Sequence, residues 1–189
     1  RFSYDGDSEN NGKETLFMAI TFNESTKIFT LQTAETTYQM MVGRYNILQH
    51  LYYGRKIHAD AQVLCEKHVS IPGNTNIYSP DFNNFSLEDM CLEMSSWGKG
   101  DIREPFIEVS HADGSSTSDF LFESSKIILG KEESETLPGS YDEDGNIGHL
   151  TVILKDSNYN LKLELHYYVY EKCNVITRSA KFINESTDD

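Results

Sequence analysis

Leu161-Lys-Leu-Glu-Leu-His-Tyr-Tyr-Val-Tyr170 is the stretch that decides the fold. Leu161, Leu163, Leu165, Tyr167 and Val169 fall on one side of an extended chain, and Lys162, Glu164, His166, Tyr168 and Tyr170 on the other. Successive Cβ atoms of an extended backbone point to opposite faces, so this period of two marks a strand with one face on a core and excludes a helix. Just upstream, Asp144-Gly145 and Asn158-Tyr-Asn160 place turn chemistry on both sides of an apolar run at 150–155. Asp113-Gly114 is a further hairpin signal between 106–110 and the run that starts near Asp119. Towards the N-terminus, Ile28, Thr30 and Gln32 alternate with Lys27, Phe29 and Leu31. The run 37–42 is rich in β-branched, aromatic and Met residues, and 46–53 gives another short strand closed by Gly54. Many short strands with few helical patterns predict an all-β fold, an antiparallel sandwich. One short helix is expected as an exception. Ser86-Leu-Glu-Asp89 fits a capping box, and Leu87, Met90, Cys91 and Met94 recur at helical spacing before Gly98.

The 189 residues suffice for one core, which at this size buries roughly 70% of the surface the unfolded chain exposes. Thirty acidic residues against sixteen basic ones give a formal charge of −14, whose field repels phosphate backbones and anionic lipid heads. Neither nucleic acid nor a membrane is therefore expected as a partner. No apolar run approaches the ~20 residues that span a bilayer, and no export signal is read, so a cytoplasmic location is expected. Cys65, Cys91 and Cys173 are odd in number and widely spaced, which fits reduced thiols. Three Asn-x-Ser matches, at Asn23, Asn84 and Asn184, are discounted on the same grounds. Residues 1–17 are polar and aperiodic, and read as a flexible leader, either an added sequence or an unusual extension before Met18. The remainder, 18–189, reads as one domain.

No motif for catalysis stands out. Asp142-Glu-Asp144-Gly-Asn146 starts like a calcium loop, but Ile147 stands where Gly is required and Ile153 where a bidentate Glu is required, so a solvated turn is expected. His50, His58, His68, His111, His149 and His166 form no H-x-x-x-H or H-E-x-x-H pair, no C-x-x-C occurs, and no G-x-S-x-G is present. No metal site and no cofactor is expected. The tyrosines at 52, 53, 167, 168 and 170 are read as core before they are read as a sugar-stacking platform. The segment 58–84 has no sustained period and is broken by Pro72, Gly73 and Pro80, which makes it the first place to look for a contact with another surface.

Several stretches, in order, resemble the N-terminal β-domain of bacterial α-galactosidases of glycoside hydrolase family 36. They are Phe22-Asn23 with Lys27-Ile-Phe-Thr-Leu31, His50-Leu-Tyr-Tyr-Gly-Arg-Lys56, Phe85-Ser-Leu87 with Trp97-Gly-Lys-Gly-Asp-Ile-Arg-Glu-Pro105, Leu137-Pro-Gly-Ser-Tyr141, and Tyr170-Glu-Lys-Cys-Asn-Val-Ile-Thr-Arg-Ser-Ala-Lys-Phe-Ile-Asn184. The resemblance implies a mutarotase-like β-supersandwich, cut short here, that precedes a catalytic barrel. That barrel carries two aspartates for retaining hydrolysis of α-galactosides such as melibiose and raffinose-type sugars. Nothing in this sequence resembles the barrel, since its Trp-Asp pair has no match and the sole Trp97 is followed by Gly98. The expected role is thus a non-catalytic domain that supports the barrel. Family members commonly form tetramers in which an N-terminal loop reaches a neighbour's active site, and that loop corresponds to 68–83. Asn74, Asn76 and Tyr78 offer it hydrogen bonds and a stacking face for a sugar. Asp101 and Arg103 match the family's Gly-x-Gly-Asp-x-Arg-x-Pro turn, where a structural role is expected. Open strand edges are expected where the domain is cut, with a tendency to dimerise. The alternatives are an autonomous carbohydrate-binding module and, on fold analogy alone, a mutarotase-like epimerase.

Overall fold

The computed structural model describes residues 19–65, 76–132 and 146–186. The expected leader, Asn74, and the turns at 137–141 and 142–145 lie outside them. Among the described residues, eight strands form two four-stranded antiparallel sheets in sequential order. The first contains β1 (Ile20–Asn23), β2 (Ile28–Gln32), β3 (Thr36–Val42) and β4 (Leu48–Arg55). The second contains β5 (Phe120–Leu129), β6 (Gly148–Asp156), β7 (Leu161–Tyr170) and β8 (Val175–Asn184).

The alternation in β7 does what its sequence requires: its five odd-numbered residues are buried, and the even-numbered ones are half-buried on the opposite face. Register then copies the pattern to β6, where Leu150, Val152 and Leu154 lie opposite Tyr167, Leu165 and Leu163. These side chains join Ile20, Phe29, Leu31, Tyr38, Met40 and Leu48 of the first sheet in one apolar cluster, so the two sheets share a core. The first sheet is also covered on its far side. Ile28, Met41 and Leu51 pack there against Ala61 of the following loop. A bulge in β4 opposite Gln39 and Met40 makes this possible, because it sets Leu51 and Tyr52 on the same face. Tyr53 lies opposite the core residue Tyr38, yet towards the end of β4 it is 60% exposed, contrary to the core reading of that residue.

The turns tie the sheets together as well. Asn174, at φ 57°, closes the β7–β8 hairpin and accepts hydrogen bonds through its side chain from the Thr33 hydroxyl and the Glu35 amide at the β2–β3 turn. Asp156 caps the β6–β7 turn by accepting from the amides of Asn158 and Tyr159, at 2.8 and 3.0 Å.

The helix expected after Ser86 is a correction. Only Leu87–Asp89 turn, as a single 3-10 turn, and Met90 is already extended at φ −108°, ψ 152°. The Ser86 hydroxyl makes no cap and has no hydrogen-bond partner. The edge of β4 wins the competition: the His50 amide donates to the Cys91 carbonyl and the Glu93 amide to the Leu48 carbonyl, so the backbone that would continue the helix pairs with the sheet instead. Likewise the Asp113-Gly114 turn is present, with Gly114 at φ 85°, but of its expected leading strand only Ile107 pairs, with Ser96.

Candidate functional site

The connector between the sheets carries the sequence-predicted residues. In Trp97-Gly-Lys-Gly-Asp101, Gly98 and Gly100 have φ of +99° and +98°, the left-handed region that glycine alone enters without penalty. A Cβ on Gly98 would lie 2.8 Å from the Thr117 Cα, and one on Gly100 would lie 3.0 Å from the Asn76 Cβ. The reversal aims Asp101 and Arg103 at each other. Arg103 donates through Nε to Asp101 Oδ1 at 2.7 Å and through Nη2 to Oδ2 at 3.0 Å, a two-pronged pair, and its backbone amide adds a third bond to Oδ1 at 3.1 Å. The same Nη2 donates to the Leu87 carbonyl, which anchors the turn to the 3-10 segment.

Asn76 and Tyr78 sit beside this turn, so the two groups singled out in the sequence are neighbours in space. Asn76 is exposed and backs onto Gly100. The Tyr78 hydroxyl donates to Asp119 Oδ2 at 2.8 Å, and Lys99 Nζ lies 3.5 Å from the same oxygen and 4.9 Å from the centre of the Tyr78 ring. Tyr45 and Phe85 pack on that ring at centroid distances of 5.0 and 5.9 Å. Burial, then the Asp119 charge, pushes the phenol up. Tyr78 is thus engaged inside the chain through its hydroxyl and its ring.

The most heavily connected acid is Glu93, which sequence reasoning passed over. Its side chain is 1% exposed. It accepts from the Tyr38 hydroxyl at 2.6 Å and the Tyr167 hydroxyl at 2.7 Å, and lies 2.9 Å from Arg178 Nη2 and 3.2 Å from His50 Nδ1. These partners come from β3, β7, β8 and β4, two strands of each sheet. Burial pushes the Glu93 carboxyl up, but His50, Arg178 and the two tyrosines together outweigh it and hold it below its ordinary value. Burial and the adjacent Glu93 charge push both tyrosines up, so they remain hydrogen-bond donors at any ordinary pH.

Each of the four most buried carboxylates thereby has a protein partner: Glu93 the inter-sheet cluster, Asp101 the Arg103 fork, Asp119 Tyr78 and Lys99, and Asp156 the amides of Asp119, Asn158 and Tyr159. These bonds tie each carboxylate into the surrounding fold. Separately, strand register brings His149 and His166, unpaired in the sequence, to 3.0 Å between Nε2 and Nδ1. Only the register of β6 on β7 could have revealed it. An open groove beside the 109–113 turn is lined by His111, Asp113, Tyr159, Asn160, Phe182 and Asn184, with Phe182 43% exposed. No helix among the described residues is long and apolar enough to cross a membrane.

Comparison with known proteins bears on what these residues belong to. The chain is 36% identical over 171 residues to the bifunctional alpha-galactosidase/sucrose kinase AgaSK of Mediterraneibacter gnavus, covering 90% of this chain and 18% of that protein. It is 31% identical to alpha-galactosidase AgaA of Geobacillus stearothermophilus, covering 89% of this chain and 23% of the relative. The crystal structure of the alpha-galactosidase from Lactobacillus brevis superposes with a TM-score of 0.82 at 30% identity, over 89% of this chain and 23% of that one. The chain therefore spans about a fifth of the length of the relatives it matches. Residues 46–189 match the model of the glycosyl hydrolase family 36 N-terminal domain. With that match over most of its length and the same two-sheet fold, the chain belongs to the family 36 N-terminal domains.

Proposed function

We propose that this chain is the non-catalytic framework domain of an α-galactosidase, holding a barrel of the same polypeptide that carries the acids for cleavage of terminal α-galactosides. The observation that carries the reading is the family match over 46–189, joined to relatives named as alpha-galactosidases of which the matched stretch covers only 18% and 23%. The engagement of Glu93, Asp101, Asp119 and Asp156 by protein partners supports it. Within the framework, Asp101 and Arg103 pin the connector, and the exposed amide of Asn76 is offered to a sugar or to a neighbouring subunit of a homo-oligomer.

A second reading, an autonomous carbohydrate-binding module, is favoured by one feature, the open groove at Phe182 and Tyr159. Calorimetric titration of the chain with galactose and with raffinose separates the two. A framework gives no saturable heat; a module binds either sugar, and loses that binding in Phe182→Ala.

A further inference from the structure

On the face of the second sheet turned away from the core, one donor atom from each of Glu132, His149 and His166 lies within 4.8 Å of the other two. We propose that these three side chains form a binding site for a divalent transition metal of zinc's preferences. Adjacent antiparallel strands hold the imidazoles in fixed register, His149 opposite Tyr168 and Thr151 opposite His166. His149 Nε2 and His166 Nδ1 face each other at 3.0 Å, and the Thr151 hydroxyl stands 3.2 and 3.4 Å from the two nitrogens. Zinc–donor bonds of about 2.0–2.2 Å set neighbouring donors roughly 3.0–3.5 Å apart, so the nitrogens need move little to share an ion.

The surroundings suit a metal ligand in two further respects. His166 presents its other nitrogen, Nε2, towards the carboxylate of Glu164, 3.6 Å from Oε2, a negative charge that favours a cation on the opposite ring nitrogen. His149 is 0% exposed, its ring stacked on Tyr168 at 4.2 Å, so its orientation is set by packing. Two imidazoles and one carboxylate select a zinc-class ion over calcium or magnesium, which take oxygen ligands. One group opposes the site. Lys126 Nζ lies 3.4 Å from Glu132 Oε1 and must give up that carboxylate to the ion.

Isothermal titration of the tag-free chain with Zn2+, its cysteines alkylated so that thiols do not compete, tests the site. One equivalent should bind, and Co2+ in its place should give a visible absorption band of nitrogen–oxygen coordination. Glu132→Gln and His166→Gln should each weaken the affinity at least ~10-fold, and Lys126→Gln should strengthen it. Glu132 lies outside any strand, so its variant carries the test even where His166→Gln disturbs the fold. Absence of saturable binding, or an affinity unchanged in Glu132→Gln, overturns the proposal.

Discussion

Glu93 and Asp101 are both buried acids facing an arginine, with side chains 1% and 2% exposed, yet they hold structures of different reach. Asp101 finds Arg103 two residues along the chain and closes a local reversal. Glu93 gathers His50, Tyr38, Tyr167 and Arg178, whose positions lie 43 to 85 residues away, and so joins strands of both sheets. The same charge-assisted bonding thus acts at two scales. Loss of the local pair should loosen a turn; loss of the distant one should release the packing of the whole domain.

The largest expected effect is therefore at Glu93. Glu93→Ala strands two buried tyrosine hydroxyls without their acceptor and takes the carboxylate from Arg178, which keeps the residue-93 carbonyl, at a cost of about 3–5 kcal/mol read from the urea midpoint. An effect no larger than that of Arg103→Ala would erase the contrast between the two sites. Acid titration sharpens it. Because the folded Glu93 carboxyl is held below its ordinary value of 4.5, its contribution is fully present above that pH and is lost as pH falls through the folded value. The wild-type midpoint should fall on acidification below about pH 4.5, and Glu93→Gln, which has no proton to gain there, should flatten that limb. Next in size, Gly98→Ala forces a Cβ against the Thr117 backbone at positive φ, at about 1–3 kcal/mol. Smallest is Arg103→Ala, expected to cost about 1–2 kcal/mol because the Asp101 carboxylate keeps the Arg103 amide as a donor. An unchanged melting temperature would remove the structural role of that pair.

The same distinction governs how much was legible in the sequence. β7 and β6 were readable because burial of one sheet face writes itself into alternate residues, and the Asp101–Arg103 turn because its partners are adjacent. The helix after Ser86 was misread because its local signals are real, but the open edge of β4 offers residues 91–93 a better set of backbone partners. The β4 bulge, a one-residue change of phase, has no sequence mark, and Tyr53 is exposed near the end of that strand although it lies opposite buried Tyr38. Glu93 and the His149–His166 pair were invisible, since nothing in a linear chain tells which distant strands will meet or in what register. For Asn76 and Tyr78, residue type suggested hydrogen bonding and stacking; the structure adds that Tyr78 spends both on Asp119 and on its aromatic neighbours.

In the proposed framework role the carboxylates of this chain brace the fold and cleavage belongs to another region of the polypeptide. Incubation of the purified 189-residue chain with 4-nitrophenyl α-D-galactopyranoside tests it most directly. No release of nitrophenolate above the buffer rate is predicted, and steady turnover that tracks the protein concentration and vanishes in a carboxylate variant would contradict it.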